Sequence, residues 1–160
     1  MKSYDDFKKD LGKRESGSCY TCVNKFGYLG MWQFGKARLC DFGLMRKDGP
    51  KFYWFPGITE SVFLTHPTLQ DVLFDCHVGR LMKIVEAHYP LLDTEKVSGA
   101  IAVMHLLGPG GFAKFQRGVD GEDALGTKAS DYYGLFCGYE IPKNLPITFD
   151  YRRILSTVPH

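Results

Sequence analysis

The chain has 160 residues, 44% of them hydrophobic and 24% charged, the make-up of one globular domain large enough to bury a substantial core. Its net charge of +2 is too small to imply nucleic acid as a partner. No apolar run is long enough to span a bilayer, and Met1 to Gly12 lacks the apolar stretch of a secretory signal, so synthesis in the cytoplasm without a signal peptide is expected.

Five cysteines, an odd number, argue against a closed disulfide framework. Cys19 and Cys22 have the spacing of half a zinc or redox site, but no second CxxC or CxxH follows. Buried free thiols are therefore expected, with a zinc site through Cys19 and Cys22 as the alternative, and no metal or cofactor is predicted.

In chain order, Ser3 and Asp6 form a capping-box pattern that opens a helix, with Tyr4, Phe7 and Leu11 on one face. Glu15 follows Leu11 by four residues and so falls on the same apolar stripe, just before a stop at Gly17. A carboxyl among apolar side chains is desolvated, which favours its protonated form and suits a general acid. The competing reading, favoured by spacing alone, is a partly exposed Glu15 paired with Lys13 or Arg14. The other face, where Lys2, Lys8, Lys9, Lys13 and Arg14 alternate with Asp5, Asp6 and Asp10, reads as solvated.

Ser18 to Gly30 reads as an irregular loop or a short hairpin, near Asn24 to Leu29, lining a cleft. Trp32 to Phe42 is expected to be helical, with Gly43 as its stop. A turn at Asp48, Gly49 and Pro50 leads into Phe52, Tyr53, Trp54 and Phe55, which read equally as a sugar-stacking platform or a loop folded onto the core. Thr65 or His66 before Pro67 starts a helix running to about His88, with Leu69, Val72, Leu73, Cys76, Leu81, Ile84 and Val85 inward. Asp93 or Thr94 caps the next helix, to Leu107, whose Ser98, Gly99, Ala100 and Ala102 would let another helix approach closely; this is the expected central helix. Gly108 to Gly111 breaks the chain, Phe112 to Arg117 forms a short helix, and Gly118 to Gly126 a polar loop. Thr127 or Ser130 then caps a last core helix ending at Phe136. The predicted fold is mainly α, one helical domain over residues 1–137 with a small hairpin or loop lobe, followed by a tail over 138–160 that packs on the domain or attaches to a partner.

The surroundings of Glu15 carry a family likeness. Glu15, Ser16, Gly17, Ser18, Tyr20, Val23 and Asn24, then Gly27, Tyr28, Leu29, Gly30, Trp32, Gln33, Phe34 and Gly35, resemble the E-S-G-G-x-Y-x-x-V-N and G-Y-L-G-x-Y-Q-F/M-G motifs of lysozyme-like soluble lytic transglycosylases and muramidases of the small phage-particle or secretion-effector type. Three later motifs follow in the same order: Phe63, Leu64, Pro67 and Gln70; His105 to Gly111; and Gly126, Thr127, Ser130, Asp131 and Tyr132. The likeness spans about residues 4 to 136. Ser18, Cys22, Trp32, Val103, Met104 and Pro109 depart from it, and none removes a group the chemistry requires.

The resemblance implies a lysozyme-like α+β fold and cleavage of the bond between N-acetylmuramic acid and N-acetylglucosamine. Glu15 would be the general acid and base. Gln33 would hold the sugar or its N-acetyl group, Tyr132 would face Glu15, and Asn24, Tyr28 and His105 would contribute to substrate binding. His105, taken alone, reads as a core residue. Between Glu15 and Asp41 there is no Asp or Glu, whereas glycoside hydrolysis ordinarily uses two carboxylates. A lytic transglycosylase, with the 6-hydroxyl of the muramic acid as nucleophile, is therefore favoured over a hydrolytic muramidase, which would need an acid brought in by the fold. A non-catalytic glycan-binding or structural module is the alternative from another class. The expected partners are peptidoglycan strands, and a virion or secretion apparatus through the tail. Delivery to the wall by a virion, a secretion system or lysis would follow.

Overall fold

Helix α1 (Tyr4–Ser16) begins on the predicted capping box: the Ser3 hydroxyl accepts the Asp6 amide at 3.1 Å, and the Asp6 carboxylate accepts the Ser3 amide at 3.4 Å. Phe7 and Leu11 are fully buried, and Gly17, at φ +69°, ends the helix where an L side chain would be strained. The computed structural model describes residues 1–157, so the last three residues of the expected tail lie outside the described residues. After α1 come α2 (Lys36–Asp41), β1 (Met45–Asp48), β2 (Lys51–Trp54), α3 (Glu60–Leu64), α4 (Pro67–His88), α5 (Thr94–Gln116), α6 (Ala129–Phe136) and α7 (Tyr151–Ser156). The chain is mainly α with a small β part. None of its described helices is long and apolar enough to cross a membrane.

The chain divides into two compact units, one made of Met1–Leu11 and Val78–Leu145, the other of Gly12–His77 and the segment from Pro146 onward. Residues 138–145 of the expected tail thus belong to the first unit. In that unit α5 carries the buried run Ser98 to Met104. A Cβ added at Gly99 would lie 2.6 Å from the Cys137 sulfur and 2.9 Å from the Tyr133 carbonyl oxygen, so the absence of a side chain is what admits α6. The Ser98 hydroxyl donates to the Phe136 carbonyl and accepts the Tyr139 amide. At Gly108, with φ 76° and ψ 169°, α5 breaks as expected, but its second segment opens at Pro109 rather than Phe112 and ends at Gln116, since proline suits the first helical position. The cap of α6 is a correction: Lys128, with no side-chain bond, holds the position expected for Thr127 or Ser130. Ser130 turns to Asp120, which accepts both its amide and its hydroxyl. Burial drives the Tyr139 hydroxyl up to about 12, assisted by its 2.7 Å hydrogen bond to Asp10.

In the second unit, Trp32 stacks on Phe74 with centroids 4.4 Å apart, and Phe34 and Phe42 set their edges against buried His77. Helix α4 starts at Pro67 and is capped by His66, whose Nδ1 accepts the Leu69 amide. Three expectations are corrected here. The helix expected from Trp32 begins only at Lys36, because Leu29 and Phe34 exchange both backbone hydrogen bonds and hold the preceding turn. The regular hairpin lies at Met45–Trp54 rather than near Asn24 to Leu29, which takes the loop form with isolated bridges from Leu29 to Val23 and to Phe34. Three of the four residues in the aromatic run expected as a platform or loop, Phe52, Tyr53 and Trp54, are therefore in strand β2, with Trp54 packed near Phe63 and Tyr53 exposed. The aperiodic tail also forms α7, where the Tyr151 hydroxyl reaches the Pro56 carbonyl at 2.8 Å.

Candidate active site

Glu15 sits half-buried in the last turn of α1. Its neighbour Ser16 fixes that turn to the loop opposite: the Ser16 hydroxyl donates to the Met31 carbonyl at 2.8 Å and accepts the Cys19 amide at 2.9 Å. At Gly12, one turn back, a Cβ would meet the end of the Met31 side chain at 2.3 Å, so the helix and the loop are in direct contact. The fold thus brings the end of α1 against the 30–34 turn across 15 residues of chain.

That turn carries Gln33 at φ +55°, a left-handed conformation a glutamine adopts only when its surroundings hold it there. Its side-chain Nε2 donates to the Gly30 carbonyl at 2.9 Å, and its backbone amide donates to the same oxygen. The clamp on this turn is Gln70, which is fully buried on α4. Its Oε1 accepts the Met31 amide, and its Nε2 donates to the Tyr20 and Phe63 carbonyls, each at 2.9 Å. Gly30, at φ +79°, has no room for a side chain, since a Cβ would fall 2.2 Å from the Gln70 oxygen. Gln70 was visible in the sequence only as one letter of a motif. The signal that could have marked it is a glutamine among apolar helix positions, Leu69 and Leu73, where a polar group must find partners.

Asn24 organises the turn before it: its side-chain oxygen accepts the Phe26 amide at 2.9 Å and the Tyr28 amide at 3.0 Å. The side-chain NH2 is left as the group it can offer a ligand. Tyr28 is 42% exposed, with Phe26 at 50% and Val23 at 46%, so this turn presents an open apolar and aromatic surface. Gly35 packs against the Tyr28 ring, where a Cβ would come within 2.7 Å. Glu15, Asn24, Tyr28 and Gln33 therefore all belong to the second unit. His105, half-buried in α5, and Tyr132, buried in α6 with its ring edge against Phe136, belong to the first.

Two further carboxylates of the second unit are engaged. Asp41 pairs with Arg38 at 3.2 Å, and Asp71 accepts the Tyr20 hydroxyl at 2.7 Å. Burial, then that hydrogen bond, raises the Tyr20 hydroxyl to about 12. The cysteine expectation is corrected: Cys19 and Cys22 form a disulfide, which leaves Cys40, Cys76 and Cys137 as the free thiols. Three residues apart and on one turn, the two thiols meet without help from the rest of the fold, which is why an odd cysteine count is no guide to them. No described cluster of His, Cys, Asp or Glu is fit to hold a metal ion.

Comparison with models of known protein families, with curated proteins and with solved structures finds no match to this chain.

Proposed function

We propose that the chain is a lysozyme-like, peptidoglycan-cleaving enzyme in which Glu15 is the general acid and base, acting as a lytic transglycosylase. The observation that carries the reading is a half-buried glutamate tied, through Ser16, to a turn whose Gln33 is held in a left-handed conformation. Strain of this kind persists where the surrounding structure fixes it, and it clusters at sites that bind or react.

In the proposed reaction the Glu15 carboxyl protonates the oxygen linking C1 of N-acetylmuramic acid to C4 of N-acetylglucosamine, and the C1–O bond breaks. The 2-acetamido group stabilises the positive charge left at C1. The Glu15 carboxylate then takes the proton of the 6-hydroxyl on the same sugar, whose oxygen closes on C1. The products are a 1,6-anhydro end and a free 4-hydroxyl, with Glu15 protonated again. The lack of any Asp or Glu between Glu15 and Asp41 favours this one-carboxylate route over hydrolysis by two. Gln33 and Asn24 offer amide groups, and Tyr28 its exposed ring, to the glycan. Delivery to the wall by a virion, a secretion system or lysis belongs to the same proposal.

Glu15→Gln keeps size and polarity but cannot donate the proton. It is expected to slow the clearing of a purified cell-wall suspension about 1,000-fold, in line with the loss of a general acid, while the melting temperature stays within about 2 °C of the parent. Clearing at the parent rate would remove Glu15 from the mechanism.

A further inference from the structure

The Cys19–Cys22 bridge lies inside the short ring of contacts that sets the proposed site. Cys19 follows Glu15 by four residues, and its amide is held by the Ser16 hydroxyl. The Cys22 carbonyl accepts the Gly30 amide at 2.8 Å, and Gly30 begins the turn that carries Gln33. The backbone loop from Ser16 to Met31 is otherwise held across by hydrogen bonds, and this bridge adds a covalent cross-link within it.

Two features separate the bridge from an inert structural staple. It encloses two residues, Tyr20 and Thr21, a loop too small to constrain the unfolded chain strongly. Both cysteines are partly exposed, and the exposed Thr21 hydroxyl lies 3.6 Å from the Cys19 sulfur, so a reductant reaches the bridge without global unfolding. In the same unit Cys76 is fully buried and donates to the Thr148 carbonyl, out of such reach.

We propose that Cys19–Cys22 is a reversible redox clamp that keeps the Glu15 helix end and the Gln33 turn in register, so that the site is set in the disulfide form and loosened in the dithiol form. The effect on catalysis rests on the wall-cleaving function proposed above. Reduction by a dithiol transfers two electrons and two protons: one thiolate attacks a sulfur of the bridge, the second thiol resolves the mixed disulfide, and the products are two protein thiols and the reductant's cyclic disulfide. Reducing compartments then hold the loose form and oxidising ones outside the cell the set form, so that activity follows location.

The test uses the full chain, equilibrated either with a dithiol or with a disulfide oxidant. Alkylation after denaturation is expected to tag three cysteines in the oxidised protein, the free set of Cys40, Cys76 and Cys137, and all five in the reduced one. Amide exchange over residues 16–33 is expected to quicken about tenfold on reduction while α5 and α6 stay unchanged, and glycan release from purified walls to fall about tenfold. Cys19→Ser and Cys22→Ser are each expected to match the reduced protein in either buffer. Five tagged cysteines in the oxidant, or the same exchange over 16–33 in both forms, would overturn the clamp. A serine variant releasing glycan at the oxidised parent's rate would overturn its control of the site. Absence of glycan release from both folded forms would sink the wall-cleaving function instead, and the exchange difference would then decide the clamp alone.

Discussion

The 16–35 segment and the α5 and α6 pair are held by opposite means. The helix pair is held by close approach: Gly99 admits Cys137 and Tyr133, and one hydroxyl, Ser98, stitches the end of α6. The segment beside Glu15 has little regular structure and is held by polar groups reaching far along the sequence, with Gln70 binding Tyr20, Met31 and Phe63. Packing by shape tolerates no added volume, whereas a polar clamp tolerates no lost partner. The polar device is suited to a site, since it fixes backbone in conformations, such as Gln33 at φ +55°, that regular elements do not offer.

That contrast can be broken at either end. Gln70→Ala strips partners from two buried backbone groups, at Met31 and Phe63, and from the part-buried Tyr20 carbonyl, at about 1–3 kcal/mol for each buried group, so a loss of about 3–5 kcal/mol is expected in denaturant unfolding. A loss under about 1 kcal/mol would mean that water or a shifted side chain takes over the clamp. Gly99→Val should cost about 2–3 kcal/mol through overpacking, with no change in amide exchange over 16–33. The smallest effect is alkaline. Tyr20 and Tyr139 both keep their protons to about 12 in the folded protein, against about 10 in an unfolded chain. Their contribution is whole below pH 10 and is lost as pH rises from 10 toward 12, where the unfolded state releases the protons first. Tyr139→Phe should flatten that decline in a series of melting temperatures, and an equally steep decline would remove the Asp10 hydrogen bond from the explanation.

How far each region could be read from the sequence follows from how it is held. Local signals announced α1, α4 and the break in α5: a capping box at Ser3, Pro67 after His66, and Gly108 with Pro109. The small residues of α5 announced its burial. What escaped was non-local or only weakly patterned. The reach of Gln70 to Met31 spans 39 residues. In the hairpin, β1 follows one buried residue, Met45, with three charged ones, and β2 follows Lys51 with three adjacent aromatics, so no alternation of residue type marks either strand. A lone CxxC reads alike as thiols, half a metal site or a disulfide. At the candidate site, Glu15 and Gln33 stood out as residue types in a motif, but the hydroxyl and amide that position them did not.

The central claim is that Glu15 passes a proton to a glycosidic oxygen with no second carboxylate. Its most direct test is the mass of the fragments released from purified peptidoglycan by the oxidised chain and by Glu15→Gln. Muropeptides ending in 1,6-anhydromuramic acid, lighter by one water than reducing ends and absent with Glu15→Gln, are the predicted result. Reducing ends alone would contradict the one-carboxylate route, and no released fragments from the folded parent protein would contradict the enzyme itself.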